Sequence, residues 1–466
     1  MILDPESCYR AIETRDARFD GQFFTGVVTT GIYCRPICPV RPPKPENCRY
    51  YPSSAAAQEA GFRPCLRCRP EVSPGLPAWI GTSTTVTRAL RLIEDGVVDD
   101  GSVEDLAARL GVGDRHLRRL FLEHVGATPM AVAVNRRVLF AKKLLTETSL
   151  PVAEIAFAAG FGSLRRFNDA IQKVYARCPR DLRKRTIEET AKGPLSLRLG
   201  YRPPYDWDAL LRFLSARAIP GVECVHNGVY ERTIRLGENR GRFRVRHLAE
   251  LYSVEVEIAV DQLVDLRLIV ERVRRLFDLR ANAMEIARHL RESDPSLDYN
   301  PATRVPGCWD PFELCVRAIL GQQVTVAGAT TLAGRIVQKY GEPFDGGFLF
   351  PTPKILRDAD FAGVGLTSKR AETLRAIAGA FDAGAVDLTK GLDHIEHSLC
   401  LLEGIGPWTA HYVAMRAANE PDAFPSSDLG LRKSAGNLTQ KELESRAETW
   451  RPWRAYAALH LWSRYV

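Results

Sequence analysis

Two pairs of cysteines, Cys34 with Cys38 and Cys65 with Cys68, constrain the N-terminal part of this chain more than any other feature. The spacings are C-x3-C and C-x2-C. Spacings this short let both sulfurs of a pair reach one ion, and four thiolates match a single tetrahedral Zn2+ site. The chain holds eleven cysteines, an odd number at uneven intervals, and it opens on Met1-Ile2-Leu3-Asp4 without the features of a signal peptide. Thiols and metal ligation are therefore expected in place of disulfides. Cys8 and Cys48 fall off the pattern and are expected as buried thiols.

A chain of 466 residues exceeds one compact core, and its length suggests roughly three domains. Hydrophobic and charged contents of 45% and 26% place it among ordinary globular proteins. No apolar run approaches the length of a membrane span, so a cytoplasmic protein without membrane partners is expected. Composition breaks at Ser73–Pro77, at Ala191–Pro194 and, more softly, near Asn282 divide it into 1–77, 83–186, 194–282 and 283–466. Alternation in Leu195–Leu199 and Tyr252–Ile258 predicts half-buried strands. A helical period fills 83–186 and returns from 283 to the end. The expected class is multidomain and mainly α, with smaller α+β parts.

The second segment contains a repeat: Ser102–Val112 is echoed by Val152–Phe161, with Gly111 and Gly160 at the same turn. Each copy predicts a helix-turn-helix. Leu106, Ala107, Leu110, Leu117, Leu120 and Phe121 face inward in the first, and Ile155, Ala156, Ala159, Leu164 and Phe167 in the second. Ser102 with Asp105 predicts a helix cap. Basic residues crowd this stretch: Arg118, Arg119, Arg136, Arg137, Lys142, Lys143, Arg165, Arg166, Lys173, Arg183, Lys184 and Arg185. They predict a polyanion-binding region, with Arg115, Arg118, Arg165 and Arg166 as contacts to phosphates or bases of double-stranded DNA.

Near the C-terminus, Leu401-Leu402-Glu403-Gly404-Ile405-Gly406-Pro407-Trp408 has the form of a helix-hairpin-helix. Gly404 and Gly406 allow backbone N–H groups to approach a DNA phosphate. Asp428 follows in Pro425-Ser426-Ser427-Asp428-Leu429-Gly430. A helix N-cap is the plainer role for that carboxylate.

Residues 29–39 and 61–70 closely resemble the N-terminal domain of the Ada adaptive-response family. The resemblance implies that Cys34 accepts a methyl group from a DNA methylphosphotriester while Cys34, Cys38, Cys65 and Cys68 hold zinc; a purely structural zinc site is the alternative. Four thiolates on the ion leave a net charge of about −2, so methylating one weakens the repulsion of phosphates. The paired helix-turn-helix resembles the AraC-type DNA-binding domain. From about Leu195 onward, Ala318–Val324, the hairpin and Trp450–Trp462 resemble AlkA-type 3-methyladenine DNA glycosylases. That resemblance implies Asp428 as the catalytic carboxylate and Trp408, Tyr412 and Trp462 as the pocket for a flipped base.

Trp408 occupies the place where related bifunctional enzymes carry a lysine, so hydrolysis without strand nicking is expected. No cysteine follows Cys400, so no iron–sulfur cluster is expected. Gln323 stands where the family has a duplex-wedging leucine, and the Pro-Cys-His-Arg segment of Ada's second transferase domain does not occur. Two functions follow. One is a glycosylase of alkylated DNA fused to a methylation-responsive activator, with RNA polymerase as a further partner. The other is a transcription regulator whose C-terminal domain binds damaged DNA without processing it.

Overall fold

The structure, a computed structural model, describes residues 4–77, 84–99, 101–183 and 194–465; Lys184, Arg185 and the break at 191–193 lie outside them. The chain forms two compact units. The first holds Met1–Pro203, Leu248–Arg274 and Leu279–Asn282, and the second holds Pro204–His247, Arg275–Asp278 and Ala283–Val466.

The first unit begins with a sheet of order β3-β1-β2-β4, built from β1 (Phe24–Val27), β2 (Ile32–Cys34), β3 (Cys48–Tyr51) and β4 (Arg63–Pro64). β2 and β4 run parallel, with Ile32 opposite Arg63 and Tyr33 opposite Pro64. Each of these two strands leads directly into one cysteine pair, so their pairing brings the pairs side by side. A sheet this small buries little apolar surface. Cys8 and Cys48 join Ala11, Ile12 and Phe23 in one cluster, as the buried thiols expected. The Arg35 guanidinium adds a buried tie, donating from Nε to Asp20 at 2.8 Å and from Nη1 to the Cys68 carbonyl at 2.9 Å.

Two helix-turn-helix pairs follow: Val103–Leu110 with Asp114–Val125, and Val152–Ala158 with Leu164–Tyr175. Helix Pro129–Glu147 connects them. Ser102 and Asp105 form a full capping box. Gly111 and Gly160, at φ 72° and 84°, make the turns in left-handed backbone that a Cβ disfavours. Leu106, Ala107, Leu110, Leu117 and Phe121 share one core, and Ile155, Ala156, Ala159 and Phe167 are buried in the second pair. Leu164 corrects the expected pattern: it is 42% exposed. As the first helical residue, its side chain leans past the helix start and no turn covers it.

The basic stretch is also corrected in part. Lys142 and Lys143 are buried against Glu71 (3.6 Å) and Glu147 (2.9 Å), while Arg136 lies 3.5 Å from Glu271 and Arg137 3.9 Å from Asp99. These four cations serve internal ion pairs and are not part of a polyanion-binding face.

Five strands come next: β5 (Leu195–Gly200), β6 (Glu223–His226), β7 (Val229–Leu236), β8 (Asn239–Leu248) and β9 (Ser253–Val260). In the first unit β5 and β9 pair antiparallel, Leu197 opposite Val256, as their alternation predicts. In the second unit β6, β7 and β8 form an antiparallel meander. Beneath it Arg232 and Glu313 form a fully buried pair at 2.6 Å.

Helices dominate from Ala283 onward, with one exception. β10 (Glu342–Phe344) and β11 (Gly347–Leu349) make a hairpin where continuous helix was expected. Its Asp345-Gly346 turn has positive φ at both residues, the backbone that Asp-Gly favours between strands. Among the described residues no helix is long and apolar enough to cross a membrane.

Candidate active site and metal centre

The hairpin lies between helices Leu392–Cys400 and Pro407–Ala417. Gly404 sits at φ 86°, and a Cβ there would meet Thr373 Oγ1 at 2.1 Å, so glycine is required for both backbone and space. Gly406 differs. Its φ is −106° and nothing lies within 4 Å of its missing Cβ. Glycine here leaves the N-terminal amides of the following helix open to a phosphate. Gln322 braces the loop, donating from Nε2 to the Gly404 carbonyl at 2.9 Å. Arg370 holds the Gln322 carbonyl at 2.6 Å. The next residue, Gln323, is exposed at φ 57°.

Asp428 caps helix Leu429–Ser434, its Oδ1 accepting from Leu431 N at 2.9 Å. The N-cap role is therefore real, and the carboxylate makes further hydrogen bonds beyond it. Oδ1 also accepts from Trp462 Nε1 at 2.9 Å, and Oδ2 from Trp408 Nε1 at 2.8 Å. A carboxylate offers about four acceptor positions. Three are filled, and the one that remains is on Oδ2.

Trp408 stacks on Tyr412 at 5.3 Å with 5° between the rings, and Trp462 meets Tyr412 edge-on at 6.3 Å. Asp428 and these three aromatic residues line one cavity of about 510 Å3. The structure thus brings together all four residues singled out from the sequence. Two arginines went unnoticed there. Arg416 donates to the Tyr412 hydroxyl at 2.7 Å, and Arg217 lies over the Phe213 ring at 3.8 Å and lines the cavity. Burial pushes the Tyr412 hydroxyl up, but Arg416 and Arg217 outweigh it and hold its pKa below the usual tyrosine value. Arg217 lies far upstream of the hairpin, where no local pattern connects the two.

In the first unit the sulfurs of Cys34, Cys38, Cys65 and Cys68 all lie within 4.8 Å of one another. Zn–S bonds of about 2.3 Å in a tetrahedron separate sulfurs by about 3.8 Å, so the four residues fit a metal ion of this kind. Cys65 and Cys68 are buried, while Cys34 and Cys38 are partly exposed. The Arg35 amide donates to Cys68 Sγ at 3.3 Å, and Cys65 N donates to the Tyr33 carbonyl at 3.0 Å.

The helix-turn-helix arginines Arg115, Arg118, Arg165 and Arg166 are all exposed. Arg118 pairs with Glu104 at 2.9 Å, and Arg165 approaches Asp169 at 4.0 Å.

A helix-hairpin-helix beside an aromatic cavity with a helix-capping carboxylate, preceded by a four-cysteine cluster and two helix-turn-helix pairs, defines a DNA-repair and regulatory fusion. Four family models match in that order. They are the metal binding domain of Ada (7–71), a helix-turn-helix domain (106–185), the AlkA N-terminal domain (196–310) and the HhH-GPD superfamily base excision DNA repair protein (316–454).

The chain belongs to the family of the probable bifunctional transcriptional activator/DNA repair enzyme AlkA of Mycobacterium tuberculosis H37Rv. It is 42% identical to that protein over 483 residues, covering 99% of this chain and 97% of the relative. DNA-3-methyladenine glycosylase 2 of Escherichia coli K12 is 36% identical over 273 residues, 57% of this chain and 95% of its own length. A solved 3-methyladenine DNA-glycosylase from Archaeoglobus fulgidus shares the fold over 57% of this chain and 97% of its own, with TM-score 0.51 at 21% identity.

Proposed function

We propose that this protein hydrolyses the N-glycosidic bond of alkylated bases such as 3-methyladenine in double-stranded DNA, with Asp428 as the catalytic carboxylate. The observation that carries this reading is the grip of Trp408 and Trp462 on Asp428 inside the cavity. The carboxylate is held in one orientation, with one acceptor position left on Oδ2 for an attacking water or the positive sugar. Alkylation at a ring nitrogen makes the base cationic, and aromatic walls favour a cation. Trp408 in place of a lysine supports hydrolysis without strand nicking.

The same chain takes a methyl group from a DNA methylphosphotriester onto Cys34, and the loss of one negative charge strengthens DNA binding by the helix-turn-helix pairs. Zinc, held by Cys34, Cys38, Cys65 and Cys68, would keep the sulfurs anionic at neutral pH. Activation of transcription makes RNA polymerase the further partner.

Release of 3-methyladenine from alkylated DNA, compared between wild type and Asp428→Asn, tests the first activity. If neither protein releases base, the C-terminal part only binds damaged DNA. Mapping the transferred methyl by mass tests the second, and its absence from Cys34 rejects the acceptor role.

A further inference from the structure

We infer that His411 is a positioning residue for base excision: its neutral ring ties Phe424 to the helix that also carries Trp408, and so fixes the segment that delivers Asp428. The inference rests on the reading of Asp428 as the catalytic carboxylate. Phe424 N donates to His411 Nδ1 at 3.1 Å, and His411 Nε2 lies 3.3 Å from Glu396 Oε2 on helix Leu392–Cys400. An amide N–H can only donate, so Nδ1 carries no proton. The single proton of the neutral ring then sits on Nε2, directed at the Glu396 carboxylate. Both partners fix the same tautomer.

From Phe424 the chain turns tightly to Asp428. The buried Phe424 ring meets Trp450 edge-on at 5.7 Å. Ser426 N donates to the Phe424 carbonyl at 3.0 Å, and Asp428 N to the Pro425 carbonyl at 2.9 Å. Ser426 Oγ donates to Glu444 at 2.6 Å. His411 holds one end of this turn, and Trp408 holds the other through Oδ2 of Asp428. Both residues lie on helix Pro407–Ala417, three positions apart and so on one face. A displaced Phe424 therefore shifts the carboxylate, and a misplacement of about 1 Å at a reacting group costs about a hundredfold in rate.

Protonation undoes the tie. A second ring proton goes on Nδ1, where it faces the Phe424 N–H and leaves that amide without its acceptor. Glu396 and Asp422 favour the protonated ring, while Arg454, at the start of helix Arg454–Ser463, opposes it. Burial outweighs the two acids and holds the pKa of His411 below the ordinary histidine value. The ring is neutral at pH 7, and the tie holds there.

The test measures single-turnover release of 3-methyladenine from alkylated DNA by the full-length protein, over that of DNA alone, across pH. It also reads the protein concentration that gives half the maximal rate. His411→Asn places a carboxamide oxygen near the position of Nδ1, an acceptor that does not titrate. This variant keeps the wild-type rate at pH 7, and its rate falls less than the wild type's as pH drops below the ordinary histidine value. His411→Leu has no acceptor. Its maximal rate at pH 7 falls by about ten- to a hundredfold, with the half-saturating concentration within about twofold of wild type. Where His411→Leu does not fold, the His411→Asn profile alone decides. An acid fall in His411→Asn equal to that of wild type overturns the inference. So does a wild-type rate in His411→Leu, or a rate in His411→Asn as low as that of His411→Leu. A wild type that releases no base rejects the glycosylase reading, and this inference with it.

Discussion

The indole N–H of Trp408 donates to Oδ2 of Asp428 at 2.8 Å, across 20 positions of sequence. Trp462 does the same to Oδ1 at 2.9 Å across 34. The two tryptophans are thus clamps on the carboxylate as well as walls of the cavity.

Trp408→Phe and Trp462→Phe keep an aromatic wall and lose the clamp. Each is expected to lower single-turnover excision about tenfold, with Asp428→Asn costing about a hundredfold or more. Asn remains a good N-cap, so that variant melts close to wild type. Excision rates beside thermal melting curves separate the chemical loss from a structural one.

The two hairpin glycines are expected to respond differently. Gly404→Ala meets both left-handed φ and Thr373 Oγ1 at 2.1 Å, and its cost is about 2 kcal/mol or more, seen as a lower melting temperature. Gly406→Ala meets nothing, so stability stays within about 0.5 kcal/mol of wild type while affinity for undamaged duplex falls. Equal loss of stability in both variants contradicts this account.

Asp278 provides a pH test. It is buried in the second unit, accepting from Val305 N at 3.1 Å and from the Tyr456 hydroxyl at 3.0 Å. Burial pushes its pKa up to about 6, against the opposing pull of Arg304, Val305 N and Tyr456. The folded state therefore holds a proton that the unfolded state has released between about pH 4 and 6. This group's contribution is fully present below pH 4 and is lost as pH rises through 6. Asp278→Asn is expected to stabilise the protein by about 3 kcal/mol at pH 7 and to gain nothing below pH 4, measured by denaturant unfolding across pH. Asn also tolerates the φ of 48° at this position.

The exposed arginines can be ranked by salt dependence. Arg165→Ala and Arg166→Ala each reduce the slope of log affinity against log salt by about 1. Arg118→Ala reduces it less, because Glu104 at 2.9 Å already neutralises part of that charge. Lys143→Met leaves the slope unchanged, since Lys143 is 1% exposed and paired with Glu147. Filter binding or fluorescence anisotropy over a salt series reads all four.

Much of the site was legible because its signals are local. A cysteine spacing, a glycine turn and a Ser-Asp cap each act within a few residues, so pattern alone locates the metal cluster, both helix-turn-helix pairs and the hairpin. The Asp345-Gly346 turn was equally local and went unread inside a helical period. Leu164 misled because helical period says nothing about where the covering turn ends.

The sequence by itself determined which modules this protein contains, which thiols cluster and which carboxylate lies beside the hairpin, because those properties follow from spacing and residue chemistry. Only the tertiary structure decided how the groups are used. It committed Lys142 and Lys143 to internal pairs and hung Asp428 between two indoles. Burial and the pairing of distant residues exist only once the chain has packed, and they convert a lone carboxylate near the C-terminus into an oriented one.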